Sequence, residues 1–156
     1  MLDLLDELDF FENYDELDIV EEASKQDEIR NEAKSLIRTM FQHLIKYQYN
    51  PRKQSKSWVN TIVRDHKKLS NINKDKLFKL VQEYLLDEAY LEGRKLAIDE
   101  DDCNVIEKES PEWRPYDWDL YFLTNIESIR EFLHTYHSNM MVYKFDVDDC
   151  IERGLR

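Results

Sequence analysis

The first glycine or proline in this chain is Pro51. Everything before it lacks the two residues that supply a left-handed turn or remove a backbone donor, and it is rich in Leu, Glu, Lys and Ala, so helix is the regular structure it favours. The economy continues downstream. Two glycines and three prolines in 156 residues leave little turn chemistry for a β-meander or sandwich, while 42% hydrophobic content suffices for one core. The expected class is all-α: an irregular bundle of four to five helices over residues 1–139, then a C-terminal arm or tail over residues 140–156.

The apolar rhythm divides the bundle. Leu4, Leu5, Leu8 and Phe11 suit a short amphipathic helix within residues 1–14. Asp15 or Asp18 caps a second helix beginning near Leu17, in which Ala33, Leu36, Ile37, Met40, Phe41, Leu44 and Tyr47 keep helical spacing. Pro51 disfavours helix at Asn50, so this helix stops near Tyr49, and Ser55 or Ser57 caps a third helix from Lys56 to Leu69. Trp58, Val59, Ile62, Val63 and His66 form its apolar stripe. A fourth helix is capped by Asn73 or Asp75 and ends near Asp99, with Leu77, Leu80, Val81, Tyr84, Leu85, Glu88 and Leu91 facing the core. Thr124-Asn125-Ile126-Glu127 reads as a capping box opening a fifth helix that runs to about Ser138. Beyond it Met141, Tyr143, Phe145 and Val147 alternate with polar neighbours as in a strand, which makes this tail the candidate interaction element.

Net charge is −12, distributed in blocks. Residues 1–32 sum to −11, residues 33–79 to +10 and residues 80–156 to −11. The basic middle admits a nucleic-acid reading through residues 46–79. The favoured account is internal pairing, in which acidic flanking helices cover the basic faces and make nucleic acid an unlikely partner. No apolar run reaches the ~20 residues a membrane span requires. An acidic N-terminus is unlike a signal peptide, so a cytoplasmic protein without a membrane partner is expected. Cys103 and Cys150 lack paired spacing, lie beside carboxylates, and read as unreactive thiols.

Few motifs carry chemistry. Glu131-x-x-His134, with His137 beyond it, is half of a bundle di-metal motif, and the second half is missing, so neither a metal nor another cofactor is implied. Asp99-Glu100-Asp101-Asp102 lacks the alternating ligands and glycine of a calcium loop and reads as a solvated helix end. His43, Lys46 and Tyr47 share a helical face at the Pro51 corner, near Arg52, Ser55, Ser57 and Trp58. They form either a small basic pocket for a phosphate or carboxylate, or a structural corner wedged by Trp58. No phosphate loop or nucleophile elbow occurs, and an enzyme would have to be built from His43 or His66 with a carboxylate that linear sequence does not identify.

The corner, His43-Leu44-Ile45-Lys46-Tyr47-x-Tyr49-x-Pro51 followed by Ser57-Trp58-x-x-Thr61-Ile62, resembles the bacterial family called domain of unknown function 29. Ala89-Tyr90-x-x-Gly93-Arg94-x-x-Ala97 and Pro111-x-x-x-Pro115-Tyr116 extend the resemblance over about residues 10–123. It implies the helical fold and leaves the activity open. Tyr47 stands where the family usually has tryptophan, the turn after the third helix lacks the family's Ser-Pro-Ser character, and residues 124–156 lie beyond it. The functional expectation is a non-catalytic module that binds another protein, or its own copy through residues 124–156. A nucleic-acid-associated regulator is the alternative, and an enzyme at the His43/Trp58 corner the third reading.

Overall fold

The computed structural model describes residues 16–141 and 143–156, with side chains from Ile19 onward. The helix expected within residues 1–14 lies outside the described residues. Among the described residues eight α-helices follow one another: α1 (Glu16–Tyr49), α2 (Lys56–Ser70), α3 (Lys74–Leu80), α4 (Glu83–Asp99), α5 (Val105–Glu109), α6 (Leu120–Thr124), α7 (Ile126–Tyr136) and α8 (Val147–Leu155). A 3-10 turn over Pro51–Lys53 joins α1 to α2. There is no strand among the described residues, and the class is all-α.

Helix α1 has 34 residues and spans roughly 50 Å at 1.5 Å per residue. Its two halves behave differently. From Ala33 onward Ile37, Met40, Phe41, Leu44, Ile45 and Tyr47 are fully buried, whereas residues 19–25 are exposed. The packed half lies against α4 on one side and α2 on the other. Contact with α4 is close because Ala89, Gly93 and Ala97 put small residues on the facing side of α4 at four-residue spacing. A Cβ at Gly93 would lie 2.6 Å from the Arg38 carbonyl oxygen and 3.1 Å from the Gln42 nitrogen.

Pro51 ends α1 as expected, and the Ser55 hydroxyl caps α2 by accepting from the Trp58 N–H at 3.4 Å. The single helix expected from about residue 74 to Asp99 is instead two. Val81 adopts φ −95°, ψ 96° and Gln82 is also extended, at φ −95°, ψ 169°, so the helical register restarts at Glu83. The buried side of α4 becomes Leu85, Leu86, Ala89, Tyr90, Gly93 and Ala97, while Tyr84 and Leu91, expected in the core, are exposed.

The loops after α4 are tied down by buried polar groups. Asp101 accepts from the N–H groups of Cys103 at 3.2 Å and Ile106 at 2.8 Å, and is buried. Glu100 holds Lys46 and Gln42, and Asp102 holds Lys53. Asp99, Glu100 and Asp102 remain exposed at the helix end as expected, Glu100 and Asp102 in surface ion pairs, and Asp101 alone of the run is buried. Arg114, 5% exposed, donates to Asp87, Glu83 and the Trp118 carbonyl, pinning the segment before α6 onto α4. Tyr90 donates to the Pro111 carbonyl at 2.7 Å.

The capping box expected at Thr124 does not form. Thr124 donates to the Leu120 carbonyl and closes α6, and Asn125 caps α7 by accepting from the Glu127 N–H at 3.0 Å. Helix α7 stops at Tyr136 because Ser138 turns its N–H to the Gln54 side chain at 2.9 Å. The strand-like alternation after Met140 forms no strand among the described residues, and helix resumes at Val147. Asp146 caps α8, whose Val147, Cys150 and Ile151 are buried against α2 and belong to the main hydrophobic cluster. Gly154 approaches Val63 so closely that a Cβ would meet its Cγ1 at 2.6 Å. Residues 140–156, set apart as an arm on their period, therefore supply side chains to the same core as α1 and α2.

Candidate functional site

Two places concentrate side chains beyond what packing requires. The first is the Pro51 corner. Lys46, largely covered, ion-pairs with Glu100 at 2.6 Å and lies 4.7 Å from the centre of the Trp58 ring. Gln42 donates to the other Glu100 oxygen at 2.9 Å. His43 bonds the Thr39 carbonyl at 2.9 Å, and burial holds its imidazole below the ordinary value, with the Lys46 charge acting in the same direction. Asp65, buried on α2, bonds Arg64 at 3.2 Å, and burial pushes its carboxyl above the usual range although Arg64, Lys68 and His43 all favour its charge.

His43, Lys46 and Trp58 are thus brought together, with Glu100, Gln42 and Asp65 among them. Tyr47 is on another side. It is fully buried, bonds the His137 Nδ1 at 2.7 Å, and burial raises its phenol well above its ordinary value. Arg52 and Ser57 are exposed and join neither group. Behind the corner Gln54 donates to the carbonyls of Tyr47 and Tyr136, both at 2.7 Å, and accepts from Ser138. Gln54, Asp65 and Glu100 were missed from sequence. Gln54 sits within a hydrophilic corner, Asp65 beside the marked His66, and Glu100 in an acidic run, so nothing in their local pattern separates them.

The second place is a cleft of about 480 Å³ between α6, α7 and the loop before α6. Its aromatic lining is Tyr116, Tyr121, Phe122, Phe132 and Tyr136; its carboxylates are Asp117, Asp119 and Glu131. The volume falls in the range of small-ligand sites, roughly 300–1,000 Å³. The floor is joined to the core through Trp118. That ring stacks on Phe41 at 5.7 Å and on Phe122 at 6.0 Å, and meets Phe132 edge-on at 5.6 Å. Tyr116 and Tyr121 stand at the rim, largely exposed. Of this lining only Tyr116 belongs to the Pro111-x-x-x-Pro115-Tyr116 motif marked in the sequence, and the cleft itself becomes visible only when α7 packs on α6.

Glu131 lines the cleft, whereas His134, three residues later, bonds Asp148 at 2.8 Å on α8. Arg130 ties the same acids, reaching Asp148 and Glu152 at 2.8 Å each. Among the described residues no group of three or more His, Cys, Asp or Glu side chains is placed to hold a metal ion.

The basic middle is covered in part. Lys34 and Arg38 meet Glu88 and Glu92, Lys46 meets Glu100, and Lys53 meets Asp102. Lys67, Lys68, Lys74, Lys76 and Lys79 form no ion pair among the described residues and gather at the α2–α3 turn. No described helix is long and apolar enough to cross a membrane.

The long central helix, the α1–α4 seam and the proline corner define a small irregular helical bundle. Within that class, the family model described as Domain of unknown function DUF29 matches residues 3–125, and the chain belongs to that family. Searches of curated proteins and of solved structures found no significant match.

Proposed function

We propose that this protein is a non-catalytic binding module whose partner is another protein, acting in the bacterial cytoplasm. The observation that carries this reading is the cleft on α6 and α7, where exposed tyrosines surround a floor fixed to the core. Aromatic side chains that are rigid and exposed are the residue class that dominates protein interfaces. The corner fits a structural role better than a ligand site, because Lys46 is engaged by Glu100 and Trp58, and His43 by Thr39. The two free cysteines, Cys103 and Cys150, accord with a reducing compartment. The test is to purify the protein from its native cells with whatever it holds and identify the passengers by mass spectrometry. A protein in fixed ratio, unaffected by nuclease, supports the reading; a nuclease-sensitive passenger overturns it.

A second reading rests on the lysines at the α2–α3 turn. Lys74 lies 6.0 Å from the ring of exposed Phe78, on a helix that also carries Lys76 and Lys79 and follows the α2 end bearing Lys67 and Lys68. A basic patch with an aromatic is the arrangement used for nucleic acid. The same purification separates the two readings.

A further inference from the structure

Resting on the binding-module reading, we infer that the cleft between α6 and α7 docks an arginine side chain carried on an exposed segment of the partner protein. Charge complementarity carries the inference. Asp117, Asp119 and Glu131 line the cleft, Asp119 with one carboxylate oxygen already accepting from the Phe122 N–H at 2.9 Å, and among the described residues no lysine, arginine or histidine lines it. The nearest arginines are occupied elsewhere: Arg114 by Asp87, Glu83 and the Trp118 carbonyl, and Arg130 by Glu127, Asp148 and Glu152. The three cleft carboxylates make no ion pair among the described residues, and residues 1–15 contain no lysine or arginine. Among the described residues no cation neutralises them, which leaves them open to a cation brought by a partner.

The aromatic lining selects the kind of cation. A guanidinium is flat, weakly hydrated and forked, so one face can stack on a tyrosine ring while its N–H groups reach a carboxylate. An ammonium is a compact, strongly hydrated point charge that gains less from a ring and cannot fork. Tyr116 and Tyr121 at the rim, with Glu131 on the α7 wall, offer rings and a carboxylate within one cleft. Phe132 and Tyr136, whose ring centres are 4.8 Å apart, continue the aromatic wall, and the Trp118 stack fixes its base before any partner arrives. The protein's net charge of −12 steers a basic segment toward this surface.

The experiment titrates isotope-labelled full-length protein with a short, capped Gly-Ser peptide bearing two arginines, and with its lysine and citrulline analogues, at low and physiological salt. Saturable shifts at Tyr121, Glu131 and Thr135 are expected, with the lysine peptide about fivefold weaker and the citrulline peptide silent. Glu131→Gln and Tyr121→Ala alter exposed side chains and should each weaken arginine-peptide binding about tenfold. Glu21→Gln, the same charge change on the exposed part of α1, should leave it unchanged. Equal weakening by Glu21→Gln, equal affinity for lysine, or shifts elsewhere would overturn the assignment. Self-association abolished by Tyr121→Ala would overturn it in favour of a second copy. If both cleft variants still carry a protein passenger from cells although the parent ignores the peptide, the cleft assignment fails while the binding-module reading stands. If the parent binds the peptide but carries no protein, the reading itself fails.

Discussion

At the scale of single residues, three positions distinguish structure from recognition. Gly93 is a glycine because α1 leaves no room for a Cβ. Backbone atoms of Arg38 and Gln42 are the obstruction and cannot rotate aside. Gly93→Ala should therefore destabilise by about 1–3 kcal/mol despite alanine's higher helix propensity, as thermal or denaturant unfolding will show. At the corner, Trp58 is half-buried rather than enclosed, so Trp58→Ala should cost about 2 kcal/mol, below the range for a fully buried ring. Lys46→Met keeps the aliphatic stem over Trp58 and should cost under about 1 kcal/mol. Added phosphate should raise the melting temperature of neither variant nor parent. A phosphate-dependent rise lost in Lys46→Met would restore the ligand-pocket reading.

The buried imidazoles set a pH dependence. Burial holds His43 and His66 below their ordinary value of about 6.5. The unfolded chain therefore binds protons more readily than the folded one below that pH, so their contribution to stability is intact above about 6.5 and shrinks on acidification. Asp65 works oppositely, since its raised pKa makes the folded state take up that proton first, nearer the carboxylate range. The melting temperature should fall by a few degrees between neutral pH and about pH 5.5, and replacing His43 and His66 with glutamine should flatten that slope.

At the scale of elements, the sequence announces helices better than their breaks. Pro51 and Ser55 mark one boundary through a missing donor and a cap, and α1 and α2 fall where their periodicity puts them. The Val81–Gln82 break has no such mark, because Leu80 and Val81 continue the apolar rhythm. Tertiary burial of Leu77, Leu80 and Val81 on one side and Leu85 and Leu86 on the other decides it. The strand-like period of the tail misleads for a related reason. Its alternating Met141, Tyr143 and Phe145 are local, whereas the packing of Val147, Cys150 and Ile151 on α2 joins positions some ninety residues apart. The corner's residue types were legible because they cluster in sequence; the cleft was not, since its walls come from α6, α7 and the loop before them. Deleting residues 146–156 should expose Val63 and its neighbours and destabilise by more than about 2 kcal/mol. Unchanged melting after that deletion would return the segment to the status of an arm.

For the molecule as a whole, charge decides the partner class. Acidic side chains on α4 and the following loop neutralise Lys34, Arg38, Lys46 and Lys53, whereas the lysines of the α2–α3 turn form no ion pair among the described residues. Five lysines there face a net charge of −12, so labelled DNA or RNA should bind weakly at physiological salt and lose its signal as salt rises. Tight binding abolished by Lys74→Glu and Lys76→Glu would instead identify the nucleic-acid reading as correct.

The Gln54 amide has a consequence for the order in which this molecule is made. Its carboxamide joins Tyr47 just before the proline corner to Tyr136 and Ser138. During synthesis α1 and α2 leave the ribosome long before those partners do. Until residue 138 emerges, the corner holds an amide and a carbonyl whose final partners do not yet exist, and water must occupy their places. The same delay applies to Val63, which waits for Gly154. The nascent chain therefore carries a half-finished corner until Tyr136 and Ser138, and then Gly154, have emerged.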